Sequence, residues 1–329
     1  MKTSKRRSNV PKIVVIGEVL VDLFGDTGKG LADSKRFTPR FGGAPANLAV
    51  SAAKIGGDVG FVGRVGTDGF GDGISAFLSA TGIDTTYLIK DPDRATMIAI
   101  VALPKPDSPE FLLLPGANVA LAPNDFDRSY IENAAIVVYG AVTMAYRSKE
   151  AALQAASYAR AAGVEVIFDV NYRPNIWPSV QVARRETMRA IETASIVKLN
   201  MRETGFLFGT EDAEAAAQNL LDAGAEMVCV TMGHKGSRFF TKHAHSKHAG
   251  FVVNVIDVTG SGDAFLAGVA VSVCGYHKPI SAMSSRDLYD IAEFSNACGA
   301  LVTTRLGAMN ATFNYADVTA IMASKGVSV

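Results

Sequence analysis

The feature that most constrains the fold is a regular alternation between short β-branched runs and longer amphipathic stretches. Runs such as residues 13–16 and 136–139 have the length and composition of buried strands, and residues 149–162 have the spacing of a helix with one apolar face. A repeated strand and helix order predicts an α/β protein whose mostly parallel sheet has helices on both faces. The other predicted strands are 59–62, 164–168, 196–199 and 227–231, and the other predicted helices are 44–55, 181–193 and 211–223.

Two segments interrupt this alternation. Residues from about 20 to 41 and from about 96 to 114 are strand-like with no helix between the strands, and the second contains three prolines that suit a turn. We expect them to form a small antiparallel β-sheet lid on a single domain that spans residues 12–329. Residues 1–11 carry four basic side chains with no apolar run behind them, so we expect a disordered basic tail rather than a signal peptide.

The charge balance and the cysteines narrow the choice of partners and location. Lys plus Arg and Asp plus Glu both number 32, so no net charge attracts nucleic acid or a membrane surface. No apolar run approaches the roughly 20 residues that a membrane-spanning helix needs. Cys229, Cys274 and Cys298 stand in apolar surroundings without paired spacing, which favours reduced thiols and a cytoplasmic location. We therefore expect a protein that binds small molecules.

The strongest chemical signal is the sequence DVTGSGDAF at 257–265. An alternating apolar run at 251–256 predicts a strand before it, and small residues after it can form a helix. The amides of Gly260, Ser261 and Gly262 at a helix N-terminus can bind a phosphate or a developing oxyanion. Asp263 suits a base that accepts the proton of an attacking hydroxyl, or a carboxylate that only stabilises the helix dipole. The spacing alone leaves both interpretations open.

Two earlier elements place polar groups at the sheet edge where ligands of open α/β proteins bind. Asp22 follows the first strand and can accept two hydrogen bonds from a vicinal diol, although a solvated loop carboxylate is an alternative. Gly42 and Gly43 let the backbone approach a ligand closely, and Asn47 near the next helix start offers both a donor and an acceptor. These residues predict a site for a polar ligand.

Later strands also end in polar side chains. Arg173 can steady an anionic or hydroxylated substrate. Asn200 and Glu203 are spaced to share one helical turn, and oxygen ligands of this kind suit a hydrated Mg²⁺ that is held largely by substrate phosphates. A further glycine turn at 231–236 lies at the same edge. The chain therefore predicts a phosphate and metal region beside the polar ligand.

Common nucleotide and metal motifs do not account for this pattern. The sequence lacks the P-loop motif GxxxxGK[ST], and its glycine cluster at 63–71 fits no dinucleotide fingerprint. His243, His245 and His248 have a metal-like spacing but no cysteine or carboxylate close by, so a solvated hairpin is favoured over zinc.

The paired glycines with Asn47, together with the D-x-T-G-x-G-D stretch at 257–263, resemble the two signature motifs of the ribokinase/PfkB-type carbohydrate kinases. The similarity runs from about residue 12 to 318. It implies a three-layer α/β/α ribokinase-like domain with a mostly parallel central sheet and a small β-sheet lid. It also implies ATP as the phosphoryl donor, a divalent ion, and Asp263 as the base for a sugar hydroxyl.

The same resemblance implies a role for each matching position. The anion hole is formed by the amides of Gly260, Ser261 and Gly262. The sugar-side positions are Asp22, Gly42, Gly43, Asn47 and Arg173. The ATP-side positions are Lys198, Asn200, Thr231, Gly233, Gly236 and Asn296. Asn200 and Glu203 lie near Mg²⁺ and act on it indirectly. The positions for a monovalent cation such as K⁺ are Asp257, Thr259 and the backbone oxygens of Val302, Arg305 and Gly307.

The choice of sugar is less direct. Gly17, Glu18 and the segment 42–47 look most like fructokinases, so fructose is the expected substrate. Residues 171–174 also resemble 2-keto-3-deoxygluconate kinases, and residues 115–118 resemble ribokinases. A non-catalytic sugar or nucleotide sensor on the same fold is the alternative from another class. Exposed strand edges in the lid offer a surface for a homodimer.

Overall fold

The structure, a computed structural model, describes residues 12–26, 28–105, 108–276, 278–309 and 313–324. The basic tail expected at 1–11 lies outside these residues. The strands are β1 (Ile13–Ile16), β2 (Leu20–Gly25), β3 (Phe37–Gly42), β4 (Val59–Gly66), β5 (Asp84–Asp91), β6 (Ile98–Lys105), β7 (Ser108–Leu114), β8 (Ile136–Gly140), β9 (Glu165–Asp169), β10 (Ile196–Asn200), β11 (Met227–Thr231), β12 (Ser237–Phe240) and β13 (His245–His248). The helices are α1 (Ala44–Lys54), α2 (Gly69–Ala80), α3 (Arg128–Glu132), α4 (Ala141–Met144), α5 (Lys149–Ala161), α6 (Val180–Ile191), α7 (Met201–Phe208), α8 (Ala213–Asp222), α9 (Ser261–Gly275), α10 (Ser285–Val302) and α11 (Tyr315–Ala323).

Nine of the described strands form the central sheet, in the order β13-β12-β11-β10-β9-β8-β1-β4-β5. The strands from β11 to β5 run parallel, while β12 and β13 form an antiparallel hairpin at one edge. The six strands predicted from the β-branched runs that alternate with helices all lie in the parallel part. The carboxyl ends of these strands therefore meet at one edge, as the predicted ligand site requires.

Side chains of the central strands alternate between two apolar layers. In β1, Val14 and Ile16 pack toward α3, α5, α6 and α8, while Ile13 and Val15 pack toward α1, α9 and α10. Period-two alternation with both faces buried explains why these strands are almost continuously β-branched. The three-layer α/β/α arrangement is confirmed.

The lid is a four-stranded sheet in the order β3-β2-β6-β7. Both predicted lid segments contribute to it, but the expectation of an antiparallel sheet is wrong for the central pair, because β2 and β6 are parallel. Parallel neighbours need a crossover, and the chain provides one by passing through α1, β4, α2 and β5 of the main domain before it returns. Gly17, Glu18 and Val19 alone separate β1 from β2, so the lid is tied closely to the central sheet. Asp22 accordingly lies within lid strand β2 rather than in a loop.

The strand predicted at 251–256 is not formed. The alternating apolar side chains have no neighbouring strand to cover them, and Val252, Val255 and Ile256 are 75%, 55% and 58% exposed. The amides of Ile256 and Asp257 instead donate to the carbonyl oxygen of Thr303, at 2.8 and 3.1 Å. An extended segment anchored to the end of α10 therefore leads into the glycine turn.

The structure also places the histidine segment and the cysteines. The histidine segment forms the β12 and β13 hairpin as predicted, although His248 is buried against Phe251 and Tyr289 rather than solvated. All three cysteines are free thiols, and Cys229 and Cys298 are buried. Across the described ranges, no helix combines the length and apolar character needed to cross a membrane.

Candidate active site

Asp263 lies in the first turn of α9, and its carboxylate is held by Asn47 of α1. The Asn47 Nδ2 group donates to Asp263 Oδ2 at 2.8 Å. Burial raises the pKa of Asp263 to about 6, even though the Asn47 hydrogen bond and the Lys198 charge act in the opposite direction. At pH 7 the Asp263 carboxyl group is mostly ionised, yet it is more basic than that of an ordinary aspartate. This combination suits a group that takes a proton from a hydroxyl.

Asn47 has one polar atom to spare. Its Oδ1 is buried and has no hydrogen-bond partner among the described residues. The turn before it requires glycine, because Gly43 has a φ of +106° and a Cβ there would lie 2.7 Å from the Glu18 carbonyl oxygen. An unpaired buried acceptor costs about 1–3 kcal/mol, so the Oδ1 atom suits the hydroxyl of a ligand.

The glycine turn at the start of α9 presents backbone amides. Gly260 caps the helix with a φ of +79°, and neither its amide nor that of Gly262 has an acceptor in the described part of the chain. The Ser261 amide differs from the sequence expectation, because it donates to the Val258 carbonyl oxygen at 3.2 Å. A Cβ on Gly262 would lie 3.1 Å from Lys198 Nζ, so an ammonium group lies directly beside these amides.

Lys198 forms a buried ion pair with Asp169 at the carboxyl end of β9. The Lys198 Nζ to Asp169 Oδ1 distance is 3.0 Å, and the two side chains are only 6% and 9% exposed. Burial disfavours the charged amine, but Asp169 and Glu203 raise the pKa of Lys198 above its ordinary value. The glycine turn therefore faces a permanent positive charge.

Asn200 and Glu203 share the first turn of α7, as predicted. The Asn200 Oδ1 atom accepts from the Arg202 and Glu203 amides, and Glu203 Oε2 accepts from the Asn200 amide at 2.8 Å. Glu203 Oε1 accepts from the Tyr172 amide at 2.9 Å. Both carboxylate oxygens of Glu203 thus hold backbone, so the residue fits a metal ion reached through water rather than by direct ligation.

On the lid side, Asp22 of β2 lies directly opposite Arg40 of β3. Burial raises the pKa of Asp22 to about 7, Arg40 lowers it, and Asp263 raises it further. The charge of Asp263 therefore acts on the carboxyl group of Asp22. Beyond β9, Asn171 has a φ of +28°, the one positive value among the described non-glycine residues, and Arg173 is exposed. Strained backbone of this kind is common at functional sites.

Comparison with known proteins identifies the family of this chain. The model of the pfkB family carbohydrate kinase matches residues 10–313. The chain belongs to the pfkB family. Fructokinase-1 of Zea mays is 32% identical over 311 residues, covering 93% of this chain and 96% of the relative.

Solved structures agree with this assignment. A Xylella fastidiosa fructokinase with bound ATP has a TM-score of 0.87 at 28% identity, covering 96% of this chain and 99% of that one. A fructokinase double mutant from Vibrio cholerae O395 with fructose, ADP and potassium ion has a TM-score of 0.85 at 31% identity, covering 96% and 100%. The resemblance inferred from the two motifs is confirmed, as is the ribokinase-like fold.

The positions predicted for a monovalent cation lie on two neighbouring segments, 257–259 and 302–307. Asp257 Oδ1 accepts from the Thr259 amide and hydroxyl at 2.9 and 2.6 Å, and Asp257 Oδ2 accepts from the Gly307 amide at 2.9 Å. Val302 ends α10 and Arg305 lies in the loop that follows, so the structure places all five positions in one region.

The positions predicted for ATP differ in their surroundings. Thr231 ends β11, and the turn after it places Gly233 and Gly236 at positive φ. Asn296 is buried in α10, and its Nδ2 donates to Ser237 Oγ and to the Ala292 carbonyl oxygen at 2.6 and 2.7 Å. The Asn296 amide therefore braces β12 from inside the protein. Its expected contact with the nucleotide stays a prediction.

Sequence reasoning missed three charged groups at the site. Asp169 directly follows the strand predicted at 164–168, but only the structure shows its pairing with Lys198. Glu18 is 4% exposed, its closest side-chain partner is Thr143 Oγ1 at 3.3 Å, and burial raises its pKa to about 8. Arg40 carried no motif at all.

Proposed function

We propose that this pfkB kinase transfers the γ-phosphate of ATP to a primary hydroxyl of fructose. The observation that carries the proposal is the part-buried pair of Asn47 and Asp263, which lies beside the Gly260 and Gly262 amides of the glycine turn. Fructose is favoured over other sugars because the similar proteins are named fructokinases and one of them is described with fructose bound.

The residues on the sugar side prepare the nucleophile. Asn47 Nδ2 holds Asp263 Oδ2, so Asp263 Oδ1 can accept the proton of the attacking hydroxyl. Asn47 Oδ1 accepts a hydrogen bond from a neighbouring hydroxyl, and Asp22 accepts from a vicinal pair. Positioning of this kind supplies much of the rate of phosphoryl transfer, since the protein has little covalent chemistry to do.

The opposite side stabilises the moving charge. The sugar oxygen bonds to the γ-phosphorus while the bond from that phosphorus to the bridging oxygen of ADP breaks, and the proton remains on Asp263. Negative charge on the phosphoryl oxygens meets the Gly260 and Gly262 amides and Lys198 Nζ. One preorganised donor of this kind is worth on the order of 10²–10³ in rate.

Two ions fit the residues present. Asn200 and Glu203 would hold Mg²⁺ through water, since both oxygens of Glu203 already accept backbone amides. Asp257, Thr259 and the carbonyl oxygens of Val302, Arg305 and Gly307 would hold a monovalent cation such as K⁺. When bound, these ions would supply positive charge that offsets the negative charge of the phosphates.

The test is an ADP-release assay with Mg-ATP and fructose, 2-keto-3-deoxygluconate or ribose as acceptor. We expect fructose to give the highest kcat/KM. A higher value for either other sugar would reject fructose as the substrate, and no ADP release above the sugar-free rate with any of them would favour a non-catalytic sensor.

We also propose a cytoplasmic homodimer that forms through the lid. Support for the dimer comes from apolar side chains on the outer lid strands, where Phe37, Phe111, Leu112 and Leu114 are 38%, 41%, 47% and 43% exposed. The three free thiols suit a reducing compartment. Sedimentation equilibrium would decide the assembly, and a monomer at micromolar concentration would reject it.

A further inference from the structure

Lys54 is a charged residue at the end of α1, and it belongs to neither signature motif. Its Nζ donates to the Met309 carbonyl oxygen at 2.7 Å, across 255 positions of sequence. The Lys54 side chain is partly buried and Met309 is fully buried. A hydrogen bond from an ammonium group is stronger than one between neutral groups. Lys54 therefore ties the end of α1 to residues 303–309, which we call the α10 loop because they follow α10.

The α10 loop packs directly against the glycine turn. A Cβ on Gly260 would overlap the Cβ of Ala308 and lie 3.1 Å from its Cα, so Ala308 closes the space beside Gly260. The Gly307 amide donates to Asp257 Oδ2 at 2.9 Å, which fixes the loop to the start of the same turn. The position of the Gly260 amide therefore depends on the α10 loop.

Helix α1 links this loop to the base. Asn47 and Lys54 are seven residues apart, which is about two helical turns or roughly 10 Å, so both side chains lie on one face of the helix. Asn47 holds Asp263, and Lys54 holds the α10 loop. The helix is buried from Pro45 to Ala52, so it is packed firmly in place. One helix thus supports both the base and the glycine turn.

We propose that Lys54 is a positioning residue for phosphoryl transfer, which acts through the α10 loop to hold the Gly260 amide where the transferring phosphoryl group meets it. This inference rests on the proposed kinase function. Backbone donors stabilise developing charge only when they are already in place, and a small displacement of such a group lowers the rate. The bond from Lys54 keeps Ala308 against Gly260 and so limits that displacement.

The test compares Lys54→Met and Lys54→Arg with the control Arg184→Gln. Arg184 also donates to a backbone carbonyl oxygen at 2.7 Å, that of Phe206, but it joins α6 to α7. Lys54→Met removes the ammonium and keeps the apolar stem. With fructose, we expect it to lower kcat on the order of 10-fold while KM for fructose changes less than about threefold. Lys54→Arg should recover part of kcat because it keeps a charged donor, and Arg184→Gln should keep wild-type kcat.

Hydrogen exchange in the free protein separates positioning from a general loss of stability. The reporters are the Gly307 amide of the α10 loop and the Ser261 amide, which donates to the Val258 carbonyl oxygen in the glycine turn. Relative to the amides of β10, both should exchange faster in Lys54→Met and neither should change in Arg184→Gln. The potassium concentration is the same in every sample. Faster exchange at Gly307 alone would overturn the proposal, because the loop would then loosen without affecting the turn.

A double-mutant cycle tests whether the effect passes through Ala308. Ala308→Gly removes the methyl group that packs on Gly260 and should also lower kcat. If both residues act on the Gly260 amide, the Lys54→Met, Ala308→Gly double variant should lose less kcat than the product of the two single losses. Losses that multiply fully would mean that Lys54 acts by another route and would overturn the proposal.

Two kinetic results would also reject the role of Lys54. They are wild-type kcat in folded Lys54→Met, and a rise in KM for fructose with kcat unchanged. Failure of the proposed function gives a different result, since the wild type would then release no ADP with fructose. The hydrogen-exchange comparison uses no substrate, so it would still decide whether Lys54 positions the glycine turn.

Discussion

The two sides of the active site differ in how firmly their charges are held. On the phosphoryl side, Lys198, Asp169 and Glu203 are buried and joined to each other or to backbone. On the lid side, Asp22 and Arg40 face each other across two strands without an ion pair. Charged side chains are therefore held in place where the reaction develops negative charge. Those on the lid, where the substrate enters, can still adjust their positions.

The largest effect should come from the base, where the two sides meet. Asp263→Asn removes the proton acceptor but keeps the shape, so we expect kcat to fall about 10²–10⁴-fold while fructose binding persists. The matched control is Asp287→Asn, because Asp287 is also a first-turn carboxylate, at the start of α10. Steady-state kinetics should separate the two. Near-normal kcat for Asp263→Asn would return Asp263 to a helix-dipole role.

The next largest effect should fall on stability, on the phosphoryl side. Lys198→Met leaves Asp169 as an unpaired buried charge, which costs about 3–5 kcal/mol in the free energy of unfolding. Lys90→Met is the control, because the Lys90 pair with Asp72 is 34% and 76% exposed and should be worth less than about 1 kcal/mol. Urea unfolding measures both. Equal losses would show that the phosphoryl side is no more firmly built than the surface.

The pH dependence of stability tests Glu18, which lies at the junction between the two sides. Its folded pKa of about 8 lies above the ordinary 4.5, so the stability it contributes is complete below pH 4.5 and is lost as the pH rises toward 8. Glu18→Gln should therefore gain stability relative to the wild type by up to about 1.4 kcal/mol per pH unit in that window. Parallel curves of unfolding free energy against pH would contradict the buried neutral acid.

The smallest expected effect concerns Asn47, which serves both sides. The wild-type kcat/KM should fall as the pH drops through about 6, since Asp263 is then protonated. Asn47→Ala removes a bond that lowers this pKa, so the acidic limb should move to higher pH, and KM for fructose should rise about tenfold. Asn133→Ala, on the surface, is the control. An unmoved limb would mean that Asn47 does not orient the base.

Much of the fold could be predicted from the sequence, because buried parallel strands are recognisable as β-branched runs. The sequence did not predict α2, β5 or α10, and α2 shows the physical reason. Helix α2 contains three glycines in its first five residues, which weakens any helical signal. The run at 251–256 shows the opposite error, since an alternating pattern indicates a strand only where a neighbour exists to pair with it.

For the candidate site too, local spacing could be predicted from the sequence, and contacts between distant segments could not. Asn200 and Glu203 share a helical turn because their spacing is local, and the structure confirmed that geometry. The turn bond of the Ser261 amide, the pairing of Lys198 with Asp169 and the position of Arg40 depend on contacts between distant segments. No local pattern carries that information.

The contact between Asn47 and Asp263 joins residues 216 positions apart. The base is therefore oriented by a segment made early in synthesis, but it is itself added only after 262 of the 329 residues. A growing chain can form most of its parallel sheet before then without an oriented base. Catalytic competence should thus appear late and all at once, when α9 closes against α1.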